Sequence, residues 1–401
     1  MDGDESKGRQ RLGLTRCFGI GMRAASVLFM LMLAACAGTL PRDIVPEQLA
    51  STAEVAGYED VRSWGDQKSV ALDASLAARV RQIEASGRFD RLRTGKPIDI
   101  SYLVLSGGGG DGAYGAGLLV GWSEAGNRPE FEMVTGVSTG ALIAPFAFLG
   151  PAYDRQLTEI YTTIETRDIA APQILAGVFG GNAVADSSPL AAQIARFVDG
   201  RLLAAVASEH DRGRRLFVAT TNIDAQRPVI WDMGAIAKRG TGPGLELFRR
   251  VLLASASIPG VFPPVRIEVT AAGNGYQELH VDGGTVNQLF FLPFDARLDS
   301  YAPKGLDPRK LRRHLYVVRN TKVAPEYKEV EDKTFDLVGR SVSTLIKAQG
   351  VGDLYKVYLE TRVQRMDFNY GAIPPEFTLE SKEPFDKAYM QALFRLGYES
   401  G

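Results

Sequence analysis

Short apolar runs alternate with amphipathic stretches along most of this chain. Residues 98–105, Ile-Asp-Ile-Ser-Tyr-Leu-Val-Leu, read as a strand, since β-branched and aromatic residues cluster there. A glycine-rich turn follows, then a helix from about Tyr114 to Ala125. Residues 131–135 read as a short strand and 139–149 as an apolar helix. Leu216 to Thr220 and Leu315 to Val318 are further β-rich runs. Leu72, Leu76, Val80 and Ile83 recur at helical spacing, which predicts an amphipathic helix over 69–86. Ser188-Pro189 supplies an N-cap and a first helical residue for a helix to about Val198. Residues 245–255 and 335–364 also read as helices. Strands alternating with helices predict an α/β protein, its central sheet mostly parallel and flanked by helices. No repeat or linker interrupts residues 61–401, which read as one catalytic domain.

The N-terminal pattern differs. Ala24 to Ala35 is an apolar run, with Ser26 inside it, preceded by Arg16 and Arg23. It falls short of the roughly 20 residues that span a bilayer and fits a secretory signal. Leu33-Ala34-Ala35-Cys36 resembles the bacterial lipobox, which implies a lipidated Cys36 as the new N-terminus. An ordinary signal peptide, or a buried helix with an incidental Cys, is the plainer alternative. By the same resemblance Ala37, rather than Asp, implies the outer membrane of a bacterial envelope. Met22 is a second candidate start, and residues 37–60, with Pro41 and Pro46, read as a tether.

Composition narrows the chemistry. Three His and two Cys leave little for a Cys/His zinc site, and no metal or cofactor is expected. The 46 basic and 47 acidic residues nearly cancel, which argues against a nucleic-acid binder. Glycine stands at 43 of 401 residues, against an average near 7 %.

Three motifs carry candidate chemistry. The turn Ser106-Gly107-Gly108-Gly109-Gly110-Asp111-Gly112 lies between a strand and a helix, where backbone N–H groups stabilise negative charge. Gly110, Gly112 and Gly115 also satisfy G-x-G-x-x-G, but the acid expected at the end of the next strand is misplaced, since Glu132 falls inside or at the start of that strand. Gly136-Val137-Ser138-Thr139-Gly140 is a G-x-S-x-G sequence in strand–turn–helix context, which exposes Ser138 as a nucleophile. His280-Val281-Asp282-Gly283-Gly284 ends a β-rich run in a carboxylate, where α/β sheets keep their sites. A plain turn is the simpler account of each motif alone. A serine hydroxyl needs a base. His210 and His314 read as structural or surface residues, and His280 sits one pleat behind Asp282 on the same strand face.

Taken together, the three motifs resemble the patatin-like phospholipase family, with its glycine turn, G-x-S-x-G elbow and D-G-[GA]. Ala256-Ser257-Ile258-Pro259-Gly260-Val261-Phe262-Pro263-Pro264 resembles a further family segment. The likeness covers about residues 98–320. It implies a serine hydrolase acting on lipid or other acyl esters, with Ser138 as nucleophile and Asp282 as general base. Gly107, Gly108, Gly109 and Gly112 would form the oxyanion turn. Many relatives carry Arg or Lys where this chain has Asp111, which would repel an anionic headgroup. The alternatives are a lipid-binding or scaffolding lipoprotein without turnover, and a Ser-His-Asp esterase using His280 or His314. Residues 287–294 and Leu175, Val178 and Phe179 could line an acyl channel, though core packing is the simpler account. The basic runs 212–215 and 309–313 read as solvated surface.

Overall fold

A computed structural model describes residues 42–87, 97–172, 183–293, 296–301 and 310–401. The signal segment, Cys36 and the stretch holding Leu175, Val178 and Phe179 lie outside these residues.

In chain order the principal elements begin with β1 (Glu54–Val55), β2 (Arg62–Trp64), α1 (Val70–Ser86), β3 (Ile98–Leu105) and α2 (Gly112–Glu124). Then come β4 (Phe131–Val137), α3 (Thr139–Leu149), α4 (Asp154–Thr163), α5 (Ser188–Phe197) and α6 (Gly200–Asp211). β5 (Arg215–Asn222), β6 (Arg227–Asp232), α7 (Pro243–Ser255), β7 (Val265–Ala271) and β8 (Asn274–Asp282) follow. The chain closes with β9 (Leu311–Arg319), α8 (Thr334–Gln364), β10 (Met366–Ala372) and α9 (Lys387–Ser400).

The ten strands form one sheet in the order β1-β7-β8-β5-β4-β3-β9-β10, with β6 on β5 and β2 on β6. From β5 through β10 the pairings along this order are parallel, so the expected parallel sheet forms the centre. An antiparallel flank of β1, β2, β6, β7 and β8 extends it.

Strand alternation divides the core. Leu103, Leu105, Leu216, Val218, Val229 and Trp231 join the cluster that holds α2, α3, α6 and α7. Ile100, Tyr102, Val104, Phe217 and Ile230 point the other way, to Leu72 and Leu76 of α1 and Val357 of α8. The result is a sheet between two helical layers. Leu289, Phe291 and Leu292 are buried in the second cluster, so these members of the suggested acyl channel are core residues.

Two expectations need correction. From residue 42 onward the supposed tether is packed on the body. β1 pairs with β7, Val55 and Tyr58 are buried, and Arg42 pairs with Asp224. Likewise Arg214, Arg215 and Arg313 of the two basic runs are buried, not solvated. Arg214 donates to the Phe131 and Phe148 carbonyls, tying the start of β4 to the end of α3. Arg215 donates to Ser75 and Gln82 of α1. A guanidinium satisfies five donors in fixed directions, so it suits buried carbonyls better than a charge run suggests.

α9 lies against α2 backbone to backbone. A methyl group on Gly117 would overlap the Phe394 carbonyl oxygen. Gly117→Ala should therefore destabilise the protein by about 1–3 kcal/mol, the usual cost of overpacking. Denaturant titration measures this; an unchanged midpoint would refute the close packing of α2 on α9.

Candidate active site

β5 places the two candidate reactive groups. Its residues 217–222 bond β6 on one edge. On the opposite edge, β4 occupies the first part and ends with Val137 opposite Ala219. β8 occupies the next part, runs the other way, and ends with Asp282 opposite Thr220. Two strands therefore approach head-on along a single edge. Ser138 leaves the end of one and Asp282 closes the other.

Ser138 sits at φ 54°, ψ −125°, a left-handed backbone that a non-glycine residue adopts only when its surroundings enforce it. Its carbonyl accepts from the N–H groups of Ala141 and Leu142, which opens α3 directly behind it. Its N–H donates to Ser255 Oγ at 3.0 Å, and Ser255 Oγ–H donates to the Ala219 carbonyl at 2.7 Å. The end of α7 thereby locks the elbow to β5.

Asp282 is buried, with the Ser138 hydroxyl near enough to favour its charged form. Its Oδ1 also accepts from the Gly284 N–H at 2.7 Å. Its own N–H donates to the Ser257 carbonyl at 2.8 Å, and Thr221 Oγ1 donates to its carbonyl at 3.0 Å. Burial pushes the carboxyl up to about 7, against the pull of the Ser138 hydroxyl and the Gly284 N–H. A carboxylate poised there can accept a proton near neutrality.

The glycine turn closes the third side. A methyl group on Gly107 would lie 3.2 Å from Ser138 Cβ, so the turn passes directly over the serine. The four glycines differ in what they offer. Gly107 N–H is taken by the Gln288 carbonyl at 3.1 Å. Gly112 N–H is taken by the Gly109 and Gly110 carbonyls. These two are removed from the expected donor set, because a hydrogen already shared with a carbonyl is not aimed at a substrate. Among the described residues, no backbone carbonyl takes the N–H of Gly108 or Gly109. Gly108 has φ 155°, and a methyl group on it would overlap the Asn320 carbonyl. Asn320 fastens the turn further. Its N–H donates to Ser106 Oγ at 2.9 Å, its Nδ2 to the Ser106 carbonyl at 2.9 Å, and its Oδ1 accepts the Gly115 N–H at 3.1 Å.

Asp111 is turned toward α9. Its Oδ1 accepts from Tyr389 Oη at 2.8 Å, and burial pushes the carboxyl up to about 6. Its charge is thus partly lost below neutrality.

The histidines are engaged elsewhere. His280 is fully buried, with Nδ1 on Thr220 Oγ1 at 2.8 Å and Nε2 on Glu278 at 3.0 Å. His314 stands near the start of β9 between Asp99 and Asp367. His210 faces Asp232. Among the described residues these side-chain bonds lead away from Ser138, and no Ser-His-Asp triad is assembled. Ser255 and Asn320 were not foreseen. Ser138 stands 117 residues from Ser255, and Gly115 and Ser106 stand 205 and 214 from Asn320, so no local motif marks either residue.

Residues 103–295 match the family described as patatin-like phospholipase. Among solved structures, VipD from Legionella pneumophila is 12% identical, with 75% of this chain and 65% of that one covered and a TM-score of 0.33. Human GIVD cytosolic phospholipase A2 is 9% identical, with 86% and 56% covered and a TM-score of 0.35. ExoU in complex with SpcU, from Pseudomonas aeruginosa, is 12% identical, with 76% and 53% covered and a TM-score of 0.27. This chain thus spans between about half and two thirds of those proteins. No curated protein matches it.

Ser255→Ala leaves the Ser138 N–H and the Ala219 carbonyl without their shared partner. Steady-state kinetics on an ester should show kcat reduced roughly 10- to 100-fold by the loosened elbow, with KM little changed. An unaltered kcat would remove Ser255 as a positioning residue.

Proposed function

We propose that this chain, whose residues 103–295 match the patatin-like phospholipase family, is a lipid acyl hydrolase working through a Ser138–Asp282 dyad. The observation that carries the proposal is the meeting of β4 and β8 on one edge of β5, which sets Ser138 beside the buried Asp282 carboxyl. Asp282 takes the hydroxyl proton as Ser138 Oγ attacks the ester carbonyl. The N–H groups of Gly108 and Gly109 receive the developing oxyanion, and the N-terminus of α3 adds its dipole. Collapse of the intermediate breaks the ester C–O bond. The leaving alkoxide takes the proton from Asp282 and an acyl-serine remains. Water then gives a proton to Asp282, attacks the acyl carbon and releases the carboxylic acid, and the proton returns to Ser138.

A fluorophosphonate probe tests the nucleophile: wild type should label and Ser138→Ala should not. Asp282→Asn should lower kcat/KM by about 100- to 10,000-fold, the usual worth of a positioned base. The base must be ionised, so kcat/KM of the wild type should fall about tenfold per pH unit below its pKa near 7 and level off above it. Labelling independent of Ser138, or a flat profile from pH 5 to pH 8, would sink the dyad.

The same proposal places the enzyme in a bacterial envelope, lipid-anchored through Cys36 and facing acyl-ester substrate in the outer membrane. The apolar run and lipobox-like sequence ending at Cys36 support this. Radiolabelled palmitate should enter the wild type and not Cys36→Ser; equal incorporation would rule out the anchor.

A further inference from the structure

α8 is buried along one face of its C-terminal half and exposed along its first turns, where Arg340 donates to the Glu326 carbonyl. Asp353, Val357, Glu360, Thr361 and Gln364 are buried. Residues 336–346 are exposed at every position except Arg340, which is half-buried. This segment is not polar. It carries Leu337, Val338, Val342, Leu345 and Ile346, with Leu345 70% exposed. Nine of the nineteen large hydrophobic residues exposed among the described residues lie on α8. Single exposed apolar residues are ordinary, but a concentration of this kind marks a surface that something covers.

Three observations say what covers it. The first is width. At 100° per residue the five side chains from Leu337 to Ile346 fan over about 180° of the helix. An interfacial helix lays such a half-cylinder into the acyl boundary and keeps its other face in water. The second is position. Ser343, Ile346 and Lys347 line a cavity of about 170 Å³ together with Ser106, Asp111 and Gln288. That cavity adjoins the glycine turn, and the turn passes over Ser138. The α8 body is fixed there, since Asp353 accepts the Gln288 N–H at 2.8 Å and Lys347 Nζ donates to the Ala324 carbonyl at 2.8 Å. The third is charge. Lys322, Lys328, Lys333, Arg340 and Lys347 are balanced by Glu326, Glu329, Glu331, Asp332 and Asp336. With no net charge, the segment has no long-range pull toward an anionic surface, and apolar immersion is what remains.

We propose that residues 336–346 of α8 insert into the acyl-chain region of a lipid surface and set the cavity beside the glycine turn against it. The substrate class then becomes aggregated lipid rather than dispersed ester. This rests on the lipid acyl hydrolase reading above.

The test uses the full chain with Cys17→Ser and Cys36→Ser, so that Leu345→Cys carries a single environment-sensitive NBD fluorophore. On adding phosphatidylcholine vesicles its emission should shift to the blue and be quenched by a spin label in the acyl chains, at low and at high salt alike. The same label on Glu84→Cys of α1 should not respond. Emission already blue-shifted before vesicles would give the face to a second copy or another part of the chain and overturn the proposal. No shift on adding them would overturn it too. In the second arm, Val338→Glu with Leu345→Glu should raise KM for vesicle lipid about 100-fold and leave kcat/KM for a short soluble ester unchanged. Equal losses on both substrates would overturn the proposal. A wild type inert toward the soluble ester would count against the hydrolase reading, and the fluorescence arm would still decide insertion.

Discussion

Everything at the candidate site depends on one edge of β5. A strand has two edges, and β6 covers one of them along residues 217–222. The other is divided between β4 and β8, which meet at Ala219 and Thr220. Backbone hydrogen bonding therefore sets the approach of Ser138 to Asp282, and side-chain packing only refines it. Parallel pairing brings a strand's C-terminal end to the site, and antiparallel pairing brings another from the opposite direction. The antiparallel flank is what gives β8 that direction.

Around this junction the same economy recurs. Ser255 and Ser257 lie two residues apart at the close of α7. One binds the Ser138 N–H and the other the Asp282 N–H. A single helix end thus sets the height of both reactive groups above β5. Asn320, just past β9, does the same for the glycine turn by holding Ser106 and the first turns of α2. The strained Ser138 backbone at φ 54°, and the Gly108 backbone at φ 155° that glycine alone adopts freely, sit where these anchors converge.

Much of this was legible in the chain. Ser138 and the glycine turn are encoded in stretches of five to ten residues, because a sharp turn between strand and helix demands particular residue types locally. Asp282 was legible for the same reason, as a carboxylate ending a β-rich run. What escaped was encoded at a distance. Ser255 and Asn320 work through partners more than a hundred residues away. Arg214 and Arg215 looked like surface charge, since nothing nearby announces the carbonyls of Phe131, Phe148 and Ser75 that receive them. Gly107 and Gly112 match the motif as well as Gly108 and Gly109 do. Only the fold shows that their N–H groups are spent on carbonyls.

The shared edge also ties the lifetime of the site to that of the sheet. Many active sites ride on loops that open long before the molecule unfolds. Here the reactive pair abuts the last rungs of two ladders on a fully buried strand. Separating Ser138 from Asp282 requires breaking backbone ladder bonds on a strand buried along its whole length. The juxtaposition of Ser138 and Asp282 is then a property of the unit that contains β4, β5 and β8, and it persists for as long as that unit stays folded.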